Sequence, residues 1–309
     1  VTKVKRAEGE QGQEVSETGQ GNDAGRRPAG PVRVWVNGER VDPAAGSVTA
    51  LDHGVTVGDG AFETCKIVDG VPFALTRHAA RLDRSMAGLG LPAADHSVID
   101  EGIAAVLAGE VITFGRLRYT VTGGAGPLGS DRSTSPLTYI VTAGPQPPNP
   151  DTGKLVVVPW TRNERGATAG LKTTSYAENV VALAFAQKHG GVEAIFANTL
   201  GNLCECTGSN IFVVVGGEIL TPDLASGALA GVTRELAIAW CRQEGITVRE
   251  EPLPMSILEQ SAEIFITSST KDVLAIHAVD DRALVAAPGP VTTRAAGVFA
   301  RLSRERVDP

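Results

Sequence analysis

Residues 144–151 read Gly-Pro-Gln-Pro-Pro-Asn-Pro-Asp. Proline fixes φ and removes a backbone donor, so this stretch resists regular structure and favours an extended connector. The residues on either side alternate strand and helix signals. The expected organisation is therefore a small N-terminal domain over 31–143, a linker over 144–154 and a large C-terminal domain over 155–309. Residues 1–30 contain no aromatic residue, Leu or Ile, and ten of the thirty are charged. Such a segment cannot offset its ordering entropy by burial, and a disordered tail is expected there.

Upstream of the linker, Val32–Val36 runs into Asn37-Gly38, the strongest short hairpin signal. A strand over Ala61–Val68 turns at Asp69-Gly70 into Val71–Ala74. Phe62, Thr64 and Lys66 share one of its faces, and Cys65 and Ile67 the other. Thr76 reads as the cap of a helix reaching about Gly88, with Ala79, Leu82, Met86 and Leu89 at helical spacing. Strands are expected near Arg116–Thr122 and Leu137–Thr142. Downstream, strands are expected at Leu155–Val158, Glu193–Ala197, Ile211–Val215, Glu218–Leu220 and Glu263–Thr267. Helices are expected over Tyr176–His189, from Val232 and from about Thr292. The fold class is α+β.

Composition narrows the function. Lys and Arg total 28 against 35 Asp and Glu, a net charge of −7. That is the wrong sign for a general binder of nucleic-acid backbones. Cys65, Cys204, Cys206 and Cys241 form no C-x-x-C pair, and the histidines lack zinc-finger spacing, so neither a metal site nor a disulfide framework is expected. The cysteine usage suits a reducing compartment. No apolar run approaches the ~20 residues of a membrane span, and no signal peptide is read at the N-terminus. A cytoplasmic protein without membrane or nucleic-acid partners is expected.

Of seven lysines, Lys66, Lys172 and Lys271 are the candidates for chemistry. Lys172 lies between a loop and a helix start, where an amine could condense with a carbonyl; an exposed loop lysine is the plainer alternative. Gly231-Val232-Thr233-Arg234 opens a helix, and the first amides of a helix suit an anion such as phosphate. Thr267-Ser268-Ser269-Thr270 ends a strand and reads as a second anion nest or as a polar turn. Glu205, flanked by cysteines, reads as a part-buried carboxylate needing a partner or as a turn residue facing water. The histidines read as structural. Asp52 and Asp59, in a Gly-rich loop, read as turn formers, with metal binding as the alternative.

In this order the blocks Leu51-Asp-His-Gly…Gly58-Asp-Gly-Ala-Phe-Glu-Thr64, His78-Ala-Ala-Arg-Leu82, Leu171-Lys-Thr, Glu205-Cys-Thr-Gly-Ser-Asn-Ile-Phe212, Gly231-Val-Thr-Arg234 and Thr267-Ser-Ser-Thr270 resemble the fold-type IV enzymes that use pyridoxal 5′-phosphate (PLP). That family includes aminodeoxychorismate lyase and the D-amino acid and branched-chain aminotransferases. The resemblance covers about residues 32–305. It implies a two-domain fold, a smaller N-terminal α/β sandwich and a larger C-terminal barrel-like domain, working as a homodimer on a small amino substrate. It further implies that Lys172 holds PLP as an internal aldimine and moves protons at the substrate carbon. Glu205 would pair with the pyridine nitrogen, and Tyr176 would contact the cofactor's phenolic oxygen. Arg81, the amides of Val232 and Thr233, and Ser269 with Thr270 would hold the phosphate.

Lys172-Thr-Thr-Ser-Tyr and Glu205-Cys206 are spelled more like the lyases than the aminotransferases. The implied reaction converts 4-amino-4-deoxychorismate to 4-aminobenzoate and pyruvate, through a quinonoid, in folate synthesis. An aminotransferase is the alternative. Gly123-Gly-Ala-Gly-Pro127 stands where some relatives carry an arginine for the substrate carboxylate. Lys66, Arg118, Arg132, Arg162 or Arg165 are the substitutes the sequence offers, with Phe62 and Thr64 on the same strand face as Lys66.

Overall fold

The computed structural model describes residues 31–309; the tail expected over 1–30 lies outside the described residues. The chain opens with the hairpin of β1 (Arg33–Val36) and β2 (Glu39–Val41). Asn37 and Gly38 both take positive φ, 46° and 100°, as a tight Asn-Gly hairpin requires. There follow α1 (His53–Thr56), β3 (Gly60–Val68), β4 (Val71–Pro72), α2 (Leu75–Leu89), α3 (His96–Leu107), β5 (Phe114–Thr122) and β6 (Thr138–Pro145). These strands form one antiparallel sheet in the order β2-β1-β6-β5-β3-β4. Leu82 and Met86 of α2 and Ile99 and Ile103 of α3 share a core with Trp35, Leu117 and Val141 of the sheet.

Thr76 does not cap α2. The helix starts after Ala74, which is left-handed at φ 56°. The Thr76 amide and hydroxyl instead donate to the Asp308 carboxylate, at 3.0 and 2.5 Å. A contact 232 residues away satisfies what a local cap would have.

The second sheet begins with β7 (Thr152–Arg162), so the irregular stretch after β6 is 146–151. Then come α4 (Ala177–Lys188), β8 (Glu193–Asn198), β9 (Leu203–Cys206), β10 (Asn210–Val215), β11 (Glu218–Pro222), α5 (Val232–Gln243), β12 (Val248–Glu251), α6 (Ile257–Gln260), β13 (Glu263–Ser268), β14 (Asp272–Val279), β15 (Arg282–Ala283) and α7 (Pro290–Glu305). The order is β12-β11-β10-β13-β14-β7-β8-β9, with β15 on β14. The pairs β11–β12, β14–β7 and β7–β8 are parallel and the rest antiparallel.

This sheet is curled into a half-barrel. Leu155, Ile195, Leu203, Ile211, Leu220, Ile264 and Leu274, from seven strands, pack on one another in a single core. At the seam the Leu203 amide of β9 donates to the Leu253 carbonyl, just past β12, at 2.7 Å. Outside, Trp240 of α5 and Phe299 of α7 pack over Phe212 and Phe265. No helix among the described residues is long and apolar enough to cross a membrane.

The two sheets meet at the segment joining β7 to α4. The Phe62 amide donates to the Lys172 carbonyl at 3.1 Å, and the Thr174 amide to the Gly60 carbonyl at 2.8 Å. The start of β3 thereby fixes the backbone on both sides of Thr173.

Candidate active site

A cavity of about 320 Å³ opens between the sheets beside this junction. Lys172 projects into it, with its ammonium 4.4 Å from the Phe62 ring centroid. Among the described residues no carboxylate comes within ion-pairing distance of Lys172. Burial, and secondarily the Arg81 charge, pull its pKa down from 10.5 to about 8. The lowered value makes the neutral amine, the form a nucleophile or base needs, easier to reach. Tyr176 packs edge-on against Phe62 at 5.3 Å. It stands at the N-cap of α4 without a side-chain capping bond, and its hydroxyl lies 3.4 Å from the Thr207 carbonyl.

Glu205 enters the same cavity from β9, with its side chain 13% exposed. Its Oε2 accepts from the Leu229 amide at 2.9 Å. Arg162, stacked 4.3 Å from the Phe196 centroid, brings Nη2 to 3.8 Å from Oε1. Burial pushes the Glu205 pKa up and Arg162 opposes it. The turn after Glu205 is held by Glu193, which accepts from Thr207 Oγ1, the Gly208 amide, Ser209 Oγ and Lys271 Nζ at 2.5–3.0 Å. Lys271 is therefore engaged as an ion-pair partner.

At the other end lies a cradle of donors. Helix α5 starts at Val232 after its N-cap Gly231, and the Val232 and Thr233 amides belong to its first, internally unpaired turn. A Cβ on Gly231 would stand 2.0 Å from Asn210 Oδ1, so the close approach admits only glycine. Facing this helix end, Thr267-Ser-Ser-Thr270 lines the cavity, and Thr267 Oγ1 and Ser268 Oγ are buried without a partner. Arg81 of α2 completes the cradle. Its Nε and Nη2 grip both oxygens of Glu63 at 2.8 and 2.7 Å, and its Nη1 lies 3.2 Å from the Ala230 carbonyl at the foot of α5.

The structure brings together Arg81, Lys172, Tyr176, Glu205, Val232, Thr233, Ser269 and Thr270, and adds Phe62, Thr64 and Arg118 to the same lining. It does not bring Lys66. The Lys66 ammonium pairs with both oxygens of Asp272 at 2.7 Å, under the rings of Phe73 and Phe299, away from the cavity. Phe62 and Thr64 line the cavity, whereas Lys66, one repeat further along β3, is drawn to Asp272 beneath Phe299 of α7.

Arg132 is likewise engaged, by Asp59 and by the Leu89 and Gly90 carbonyls at the end of α2. Arg162 is tied to Glu178 and Asn179, and Arg165 is an exposed neighbour of Glu164. Arg118 remains, with Arg116 beside it on β5. Both line the cavity, and burial lowers the pKa of each. Among the described residues neither has a carboxylate partner. Arg118 stacks 3.7 Å from the Phe62 centroid.

Arg116 and Glu63 were not foreseen. Arg116 had a readable signal, since it shares the face of Arg118 two residues away. Glu63 had one too: it sits on the strand face of Cys65 and Ile67, where a carboxylate needs a cation.

The family model for amino-transferase class IV matches residues 60–279. A protein of Methanocaldococcus jannaschii, provisionally named a branched-chain-amino-acid aminotransferase, is 32% identical over 259 residues, 82% of this chain and 90% of that one. Aminodeoxychorismate lyase of Bacillus subtilis is 26% identical over 257 residues, 80% and 87% of the two chains. A hypothetical aminotransferase from Mycobacterium tuberculosis, in its PLP-bound form, superposes with a TM-score of 0.78 at 24% identity, over 89% of this chain and 100% of that one.

The residues present fit a phosphorylated pyridine aldehyde. An unpaired lysine stands between a carboxylate and an anion cradle, and that cradle holds two buried hydroxyls without partners. The unpaired first-turn amides of α5 and the Arg81 guanidinium supply the donors that phosphate oxygens would satisfy. The chain belongs to amino-transferase class IV, a family of enzymes that depend on pyridoxal 5′-phosphate.

Proposed function

We propose that the chain is a lyase of the aminodeoxychorismate type, which converts 4-amino-4-deoxychorismate to 4-aminobenzoate and pyruvate. The observation that carries this reading is the Arg116–Arg118 pair, two cavity-lining guanidiniums without carboxylates of their own. The substrate bears two carboxylates, one on its ring and one on the enolpyruvyl ether. A branched-chain amino acid bears one, and its apolar side chain gains nothing from a second arginine. The likeness to the Bacillus subtilis lyase supports the same reading.

In this reading Arg81, the Val232 and Thr233 amides and the 267–270 turn anchor the cofactor phosphate. Glu205 would keep the proton on the pyridine nitrogen, and Arg162 opposes the effect of burial on Glu205. The bound cofactor supplies an electron-withdrawing ring conjugated to the substrate nitrogen. Lys172 would hold the cofactor, and its free amine would take the proton from the ring carbon that bears the substrate nitrogen. The ether C–O bond breaks as the ring aromatises, and the departing enolpyruvate takes up a proton to become pyruvate. Arg116 and Arg118 hold the carboxylates through this step. The working assembly in this reading is a homodimer.

An aminotransferase acting on a D- or branched-chain amino acid is the second reading, favoured by the Methanocaldococcus relative. The two part in one assay. Purified holoprotein given aminodeoxychorismate and no keto acid should release pyruvate and 4-aminobenzoate in equal amounts. No pyruvate, together with ping-pong amino exchange between amino and keto acids, would replace the lyase by the aminotransferase.

A further inference from the structure

Glu63 lies at the middle of β3, fully buried, on the face turned away from the cavity. It nonetheless meets two side chains that lead back to the anion cradle. Oε1 accepts from Arg81 Nε at 2.8 Å. Oε2 accepts from Arg81 Nη2 at 2.7 Å and is 2.7 Å from His78 Nδ1. Arg81 and His78 sit three residues apart on one face of α2. With Nδ1–H donating to Glu63, the neutral imidazole presents Nε2 as an acceptor. Ser269 Oγ lies 3.5 Å from that nitrogen. One carboxylate in the first sheet therefore reaches Arg81 directly and the 267–270 turn of the second sheet through a histidine.

We propose that Glu63, with His78, is the positioning residue of the phosphate cradle, fixing the Arg81 guanidinium and the Ser269 turn in register across the two sheets. The proposal rests on the reading that the cradle takes the cofactor phosphate. A buried ionic group is not needed for stability as such, because apolar residues of similar volume serve a core equally well. What an apolar substitute cannot supply is direction. The fork to Glu63 occupies one edge of the guanidinium and leaves Nη1 toward the foot of α5. On the other wall the Ser269 hydroxyl is spent on His78. The 267–270 turn, which lines the cavity, is thereby held against the Arg81 side of the cradle.

The test compares equilibrium binding of PLP and of pyridoxal, which lacks the phosphate, to the apoprotein. Wild type should bind PLP far more tightly than pyridoxal. In Glu63→Gln the PLP Kd should rise at least about 10-fold while pyridoxal binding stays unchanged, so the discrimination collapses. His78→Gln should lose part of the discrimination and serves as the test should Glu63→Gln fail to fold by circular dichroism. Arg81→Met separates the two claims. If it keeps the discrimination, the phosphate reading itself is wrong. If it loses the discrimination while the folded Glu63 or His78 variants keep it, the cradle reading stands and the positioning role is overturned.

Discussion

Lys172 and Glu205 face one cavity with opposite shifts, and burial is the first cause of both. Burial favours the neutral form of each, which makes a free amine at the reacting end easier to reach. Glu205 needs a cation opposite it to stay charged, and Arg162 is only a partial one at 3.8 Å. A protonated pyridine nitrogen would complete the pair. Glu205→Gln, close in shape, should therefore keep the cofactor bound but lower turnover about 10²–10³-fold. Steady-state kinetics beside the bound-cofactor spectrum checks this; full turnover with Gln would remove Glu205 from its assigned role. No single block picks out Lys172, Glu205 or Arg81; the ordered set of blocks does, through the family resemblance, and the structure brings the three to one cavity. Lys66 lies within a strand and Lys172 between a strand and a helix, and the sequence does not say which has a carboxylate waiting. Asp272, which claims Lys66, lies 206 residues away.

At the scale of elements, the hairpins and most helices follow from local patterning, with edges off by one or two residues. The elements not foreseen share a physical cause. Helix α3 carries Gly102 in its middle, which reads as a break; in the fold that glycine lets Trp35 and Val141 approach to within 2.7 Å of a would-be Cβ. Strand β9 has only four residues, Leu203–Cys206, and a register shift against β8. Strand β14 starts at Asp272, whose φ of 51° looks like a turn signal yet leads straight into the sheet. Each exists because a distant partner completes it. The same dependence places the cradle: α5 and the 267–270 turn are ordinary elements until the curl of the second sheet brings them face to face.

The whole molecule is two sheets clasped around a cavity, and buried ion pairs tie them together. Lys66 and Asp272 bridge the sheets directly, and Glu63 does so through α2. Burial pushes the Glu63 pKa up, but Arg81 and His78 outweigh it and hold it at about 2, against 4.5 for a free carboxyl. A depressed acid stabilises the fold above its unfolded pKa, and that contribution fades as pH falls from about 4.5 through 2. At about 1.4 kcal/mol per pH unit it amounts to about 3 kcal/mol at most. Denaturant unfolding of wild type and Glu63→Gln should show a stability gap at pH 7 that narrows toward pH 3, whereas a constant gap would mean Glu63 does not titrate with unfolding. In the proposed reading the amine between the two sheets carries the cofactor. Borohydride reduction of the holoprotein, proteolysis and mass spectrometry read this directly. The expected result is a single pyridoxyl-phosphate adduct on the peptide bearing Lys172, lost in Lys172→Ala; an adduct on Lys66, Lys271 or any other residue, or none, would contradict the account.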